Sequence, residues 1–289
     1  MYEGCDGGIF KTTNNGSTWI DISANLCIAQ IYRIGLSTSN ASLWITGHQD
    51  NGTNLKNGAA YTGTMGGDGM DCFIDRTNNN VMYGEQYNGS HNRSTNGGAS
   101  WTGITTGLTG STAWVTPWYQ DPATANTIYS GRTNLWKSTN QGTSWTQLTS
   151  LGGSGTIVDF KVAPSNNQVI YVCRSNNVYK TTNGGTSWTT ITGTLPVGSA
   201  AITRVDVKPT DPNTAIVTFS GYSSGNKVFK TTNGGTSWTN ISTGLPNLPC
   251  NCVRYDASSA IDAVYVGCDV GVYYMDNSFG SWQPYFTSL

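Results

Sequence analysis

Lys180-Thr-Thr-Asn-Gly-Gly-Thr-Ser-Trp188 returns unchanged as Lys230-Thr-Thr-Asn-Gly-Gly-Thr-Ser-Trp238. Three near copies read Lys11-Thr-Thr-Asn-Asn-Gly-Ser-Thr-Trp19, Arg93-Ser-Thr-Asn-Gly-Gly-Ala-Ser-Trp101 and Lys137-Ser-Thr-Asn-Gln-Gly-Thr-Ser-Trp145. A worn copy, Met275-Asp-Asn-Ser-Phe-Gly-Ser-Trp282, ends the series. The tryptophans are 82, 44, 43, 50 and 44 residues apart. The first interval is close to two periods, so one copy without the signature is expected between Trp19 and Trp101. Six visible units and one hidden unit make seven. A period of about 40 residues is that of an array in which each unit buries its apolar face against its neighbours.

The motif has a mechanical reading. Asn14, Asn96, Asn140, Asn183 and Asn233 stand five residues before the tryptophan. There an amide side chain can bond backbone groups of its own turn and tolerate left-handed geometry. Gly16, Gly98, Gly142, Gly185 and Gly235 stand three residues before it and supply positive φ without steric cost. Thr12, Ser94, Ser138, Thr181 and Thr231 stand seven before it and can tie the turn to its strand. Trp19, Trp101, Trp145, Trp188, Trp238 and Trp282 are then expected to plug the gap beside the next sheet. All of these residues are assigned to building the fold, not to chemistry.

Around each motif the pattern is short β-branched and aromatic runs punctuated by Gly, Asn and Pro, which are strand and turn signals. In the fifth unit, strands are expected at 157–162, 169–173, 177–180 and 187–191. Four strands per unit of about 40 residues mark a propeller blade. The expectation is an all-β, seven-bladed β-propeller of four-stranded antiparallel blades forming one domain over 1–289. Its blades lie at about 1–24, 25–65, 66–107, 108–150, 151–196, 197–246 and 247–289. Gly4-Cys-Asp6 aligns with Gly267-Cys-Asp269, so the chain opens inside a second strand and 27 of 28 strands can be placed. The innermost strand of the first blade is expected to follow Leu289 in a longer parent chain. An open sheet edge of that kind favours pairing with a partner.

Composition narrows the function classes. Fifteen basic and 16 acidic side chains leave a net charge of −1, which argues against the basic footprint of a nucleic-acid binder. No run approaches the roughly 18 apolar residues of a membrane-spanning helix. Only Glu3 and Glu85 are glutamates while glycine numbers 36, which disfavours bundles and coiled coils. Disorder is disfavoured by the 11% aromatic content, enough to bury a core.

The pattern Ser/Thr-x-Asn-x-Gly-x-x-Trp resembles the Asp-box, or BNR, repeat of sialidases, sortilin-type receptors and xyloglucanase-type glycoside hydrolases, which usually carry Asp where this chain has Asn. Gly4-Cys-Asp-Gly-Gly-Ile-Phe-Lys11, Gln30-Ile-Tyr-Arg-Ile34, Gly47-His-Gln-Asp-Asn-Gly52 and Gly66-Gly-Asp-Gly69 are most similar to large secreted BNR-repeat proteins of Bacteroidetes type. The resemblance implies a secreted or cell-surface location, flanking domains in the parent chain, and ligands on the face opposite the motif turns.

On that face Asp269, Asp6, Asp50, Asp68 and Glu85 fall on consecutive blades, with Arg132 and Arg174 on the other side. These acids are either one pocket or simply turn formers beside glycine. Asp6, in a segment similar to the Thr-Asp-x-Gly-Gly of xyloglucanase-type enzymes, and Asp50 or Asp68 are the candidates for an acid/base pair flanking a glycosidic bond. The sialidase resemblance rests on Tyr32-Arg33-Ile34, with Gly35 where the family carries proline. Trp114, Trp118 and Trp136 lie outside the motif, beside Tyr119. They are either a glycan-stacking platform or packing between blades. His48 and His91 lack zinc spacing, so no metal is expected on histidine. Calcium can be held by acidic turns, although no EF-hand loop is present. Seven cysteines include Cys252 and Cys268 on strands expected to pair.

Three readings follow. The leading one is a non-catalytic extracellular binding or adhesion module for glycan or protein. The others are a glycoside hydrolase with paired aspartates and a structural or protein-docking propeller.

Overall fold

The computed structural model describes residues 1–5, 8–23 and 29–285. Among these there are 27 strands in seven antiparallel sheets and no helix. The first sheet has three strands, β1 (Tyr2–Cys5), β2 (Gly8–Lys11) and β3 (Ile20–Asp21). The second holds β4 (Ile31–Leu36), β5 (Leu43–His48), β6 (Gly52–Asn57) and β7 (Ala60–Met65). The third holds β8 (Gly69–Ile74), β9 (Met82–Gln86), β10 (Ser90–Ser94) and β11 (Thr102–Gly103). The fourth is β12 (Trp118–Gln120), β13 (Ile128–Gly131), β14 (Leu135–Ser138) and β15 (Thr146–Gln147). The fifth is β16 (Ile157–Val162), β17 (Ile170–Arg174), β18 (Asn177–Thr181) and β19 (Thr189–Thr190). The sixth is β20 (Ile202–Val207), β21 (Ala215–Phe219), β22 (Val228–Thr231) and β23 (Thr239–Asn240). The seventh is β24 (Cys250–Tyr255), β25 (Val264–Cys268), β26 (Gly271–Met275) and β27 (Gln283–Pro284). Strands pair in chain order in every sheet, and the fold is an all-β, seven-bladed propeller whose first blade has three strands.

The motif turns share one hydrogen-bond scheme. Asn183 Oδ1 accepts the Ser187 amide at 3.0 Å, and Thr181 Oγ1 accepts the Gly185 amide at 3.0 Å. Asn233 and Thr231 repeat both bonds at 3.0 and 2.9 Å, as do Asn96 and Ser94 at 2.9 Å each. The motif asparagine itself is not left-handed. The next residue takes that conformation, at φ 54° for Asn15 and 57° for Gln141, with glycine there in the other three copies. The glycine three residues before the tryptophan is fixed twice over. Gly185 lies at φ 90°, and a Cβ there would sit 2.6 Å from Leu148 Cδ1 in the preceding blade. The indoles of Trp145, Trp188, Trp238 and Trp282 then reach back one blade. Trp145 Nε1 donates to Ile104 O at 2.7 Å, Trp188 to Thr149 O at 3.0 Å and Trp238 to Ile191 O at 2.8 Å.

Blade two carries no motif, and its fourth strand differs accordingly. β7 is six residues long, where every other blade ends on a strand of two. Asn57 and Ala60 pair across a tight hairpin with Gly58 at φ 57° in place of the motif turn.

Chain contacts divide the described residues into two compact units. The first comprises Met1–Leu108, Trp114–Gln120 and Thr139–Trp145, and the second takes the rest. The first unit is cored between sheets two and three by Leu43, Ile45, Cys72, Ile74 and Met82, with Leu55 and Trp101 against them. In the second, Tyr171, Cys173, Val205, Val217, Phe219 and Phe229 fill the space between sheets five and six. Buried carboxylates add directed links there. Asp159 Oδ2 accepts the Val205 amide at 3.0 Å and Asp206 Oδ2 the Tyr255 amide at 2.8 Å, each one blade onward. A buried acid in that position satisfies an amide that apolar packing would leave unpaired.

Candidate functional site

Turns between second and third strands, and the loops joining blades, converge on one face of the first unit. The β5–β6 turn presents Gln49 and Asp50, the loop after β7 presents Asp68, and the β9–β10 turn presents Tyr87. The ring planes of Tyr87 and Trp114 lie 11° apart with centroids at 5.6 Å. Both rings remain about half exposed, at 49% and 47%. Trp114 is the most exposed tryptophan of the described residues, whereas Trp118, Trp136, Trp238 and Trp282 are buried.

The pair is held from below. Trp114 Nε1 donates to the Tyr32 hydroxyl at 3.2 Å, and that hydroxyl donates to Gln49 Oε1. The Trp114 carbonyl accepts the Asn88 amide at 3.1 Å, with Asn88 in the left-handed turn that carries Tyr87. Backbone and side chain of Trp114 are both fixed, so the platform is preorganised.

Asp50 and Asp68 come together next to it. The Asp50 amide donates to Asp68 Oδ1 at 2.8 Å, and Asp50 is exposed at φ 56° on the turn that supplies Gln49. Asp6 lies outside the described residues. Glu85 is wholly buried at the end of β9. Its Oε1 accepts the Gly89 amide at 2.7 Å and the Thr116 amide at 3.0 Å. Burial, with the neighbouring Asp71 charge added, pushes its pKa to about 8. Its position clamps the β9–β10 turn to the segment that bears Trp114; it offers no surface to a ligand.

In the second unit, Asp269 is exposed and accepts from Asn251 Nδ2 at 2.7 Å. Arg174 is buried, donating to Thr133 O at 3.0 Å, with its guanidinium 5.4 Å over the Tyr179 ring. Arg132 is buried as well. Neither arginine is displayed as a clamp for a substrate carboxylate.

Two expectations are corrected. Trp118 cannot serve as a platform, because it is wholly buried. It stacks on His91 at 4.0 Å and donates to Asp71 O at 3.2 Å, filling space inside the first unit. Trp136 is buried too. The cysteine facing Cys268 is Cys250, not Cys252. A bulge in β24 shifts the register and sets Cys252 opposite Gly267. Sequence reasoning misses Tyr87 and Tyr32 as members of the site. Tyr87 lies in a Gln-Tyr-Asn-Gly turn, and an aromatic residue at a turn tip is the signal that could have flagged it. No group of three or more metal-ligating side chains is found among the described residues.

With this geometry in place, the chain compares with known proteins as follows. A family model described as Sortilin, neurotensin receptor 3, matches residues 133–265. Among solved structures, the GH74 enzyme of Niastella koreensis is similar at TM-score 0.67 and 20% identity, covering 95% of this chain and 50% of that one. An ancestral GH74 enzyme is similar at TM-score 0.73 and 17% identity, covering 90% and 39%. YCF48 bound to D1 peptide is similar at TM-score 0.63 and 10% identity, covering 94% and 85%. The chain thus spans half or less of the length of these two GH74 enzymes. The comparison with curated proteins finds no match. At these identities the structural likenesses establish the β-propeller fold. No helix of the described residues is long and apolar enough to cross a membrane.

Proposed function

We propose that this propeller is an extracellular, non-catalytic module that binds glycan at the loop face of its first unit, within a larger secreted protein. The observation that carries the reading is the half-exposed, parallel Tyr87–Trp114 pair locked by Tyr32 and Asn88. A sugar ring offers a flat C–H face that stacks on such a surface, while Gln49 and Asp50 beside it supply hydrogen-bond partners for hydroxyls. The similarity to GH74 enzymes is in keeping with a carbohydrate ligand.

Titration of neutral oligosaccharides by calorimetry tests it. Trp114→Ala is expected to weaken binding at least tenfold while the melting temperature moves by no more than a few degrees, since the side chain is half exposed. Unchanged affinity in a folded Trp114→Ala protein would sink the reading, and the absence of any glycan ligand would shift weight to protein docking.

A second reading, a glycoside hydrolase, is favoured by the Asp50–Asp68 juxtaposition. Two carboxyl groups about 5 Å apart suit retention and wider spacings suit inversion. Release of reducing ends from soluble polysaccharide, lost in Asp6→Asn, Asp50→Asn or Asp68→Asn, would replace the binding reading with this one.

A further inference from the structure

Five first strands share a bulge near the same end: between Ile31 and Arg33, Gly69 and Cys72, Ile157 and Asp159, Ile202 and Arg204, and Cys250 and Cys252. The residue before each bulge faces the end of the second strand. These facing pairs are Ile31–His48, Gly69–Gln86, Ile157–Arg174, Ile202–Phe219 and Cys250–Cys268. Four blades carry no cysteine at this position, and the seventh places two thiols there. Their sulfurs are 3.2 Å apart. Directly opposed residues of an antiparallel pair have Cα atoms about 4.5–5.5 Å apart, inside the roughly 4.4–6.8 Å span of disulfides.

We propose that Cys250 and Cys268 are an oxidation site that closes a disulfide between β24 and β25, stapling the loop-face end of the seventh blade.

The surroundings divide the roles of the two thiols. Cys250 is fully buried, whereas Cys268 is partly open and can meet a reagent. The Cys250 thiol donates toward Cys268, which lowers the pKa of Cys268 and raises that of Cys250, and the Lys227 ammonium nearby favours the thiolate of either. Asp269 opposes ionisation of Cys268. The oxidant is a small-molecule disulfide such as oxidised glutathione. Cys268 gives up its proton and its thiolate attacks one sulfur of the oxidant. A mixed disulfide forms, and one glutathione thiolate leaves and takes up a proton. Cys250 then loses its proton and attacks the Cys268 sulfur, expelling the second glutathione. Two protein thiols and one oxidised glutathione become one protein disulfide and two reduced glutathiones. Cys252 is exposed on the other side of the bulge, over Gly267, and takes no part.

The test uses the full chain incubated with oxidised glutathione, alkylated, digested and mapped by mass spectrometry. The expected result is a linked pair of peptides joining Cys250 to Cys268 with Cys252 alkylated, and a melting temperature several degrees above that of the reduced protein. Cys252→Ser should behave identically, whereas Cys250→Ser should leave Cys268 as a glutathione adduct. A Cys252–Cys268 link, or full alkylation of both Cys250 and Cys268 after oxidation of the folded protein, would overturn the proposal. Because the wild-type map alone decides, a variant that fails to fold does not weaken the test.

Discussion

Glu85 shows at single-residue scale how this fold handles charge. Its carboxyl group is enclosed, takes backbone amides from Gly89 and Thr116, and sits near Asp71. Burial and that like charge outweigh the amides, so its folded pKa is about 8 against an ordinary value of 4.5. Between these values the unfolded chain has released the proton that the folded chain keeps. Stability contributed by this group is therefore complete below about pH 4.5 and is lost as pH rises through about 8. A tenfold difference in proton affinity is worth about 1.4 kcal/mol, so the loss is on the order of a few kcal/mol. Thermal melts from pH 5 to pH 8 should show the wild type losing several degrees. Glu85→Gln, which retains an acceptor oxygen for the Gly89 amide, should show a flatter profile; equal slopes would remove Glu85 from the account. The sequence marks Glu85 as charged and scarce but cannot place it, because its burial depends on Thr116, 31 residues away.

The motif turn is the element that repeats, and it is legible because its bonds are local. Asn183 bonds Ser187, and Thr181 bonds Gly185, both across four residues. Seven residue identities in a row therefore carry the geometry themselves. The pairing of β24 with β25 is legible but its register is not, since a bulge set by contacts with β25 places Cys250 rather than Cys252 opposite Cys268. Trp118 escapes for a related reason. A tryptophan outside the motif can stack inward or outward, and Asp71 and His91 decide that it stacks inward. The local character of the turn makes a clear prediction. Asn183→Ala removes acceptors for both the Ser187 amide and the Thr181 hydroxyl and should cost about 1–2 kcal/mol, as loss of a capping side chain does. Asn183→Asp keeps an acceptor for the amide and should stay within about 0.5 kcal/mol of wild type. Denaturant melts of the two variants measure both, and an Ala variant as stable as the Asp variant would show that the side chain carries no structural load.

At the scale of the whole molecule, the repeat and the strand count are legible because six copies of one pattern, with one double interval between them, leave few alternatives, and the three-stranded first sheet follows from aligning Gly4-Cys-Asp6 with Gly267-Cys-Asp269. Which side chains form a platform is not, because Tyr32, Tyr87 and Trp114 come from three separate loops and strands. The same scale fixes how a ligand should be met. Net charge is −1 and only 11% of residues are charged. Several of those charges are spent internally: Asp206 is paired with Lys161 at 3.0 Å and Lys208 with Asp262 at 2.6 Å. A protein with so small a net field exerts little long-range steering. Stacking on Tyr87 and Trp114 depends on surface burial and dispersion, which salt screens hardly at all. The Debye length falls from about 10 Å at 0.1 M salt to about 3 Å at 1 M, so the two mechanisms separate cleanly over that range. Affinity for a neutral oligosaccharide should change by less than about twofold between about 0.05 M and 0.5 M sodium chloride. Calorimetric titrations at the two concentrations measure it. A tenfold weakening at high salt would mean that charged groups, not the aromatic pair, dominate binding, and attention would pass from Trp114 to Asp50 and Asp68.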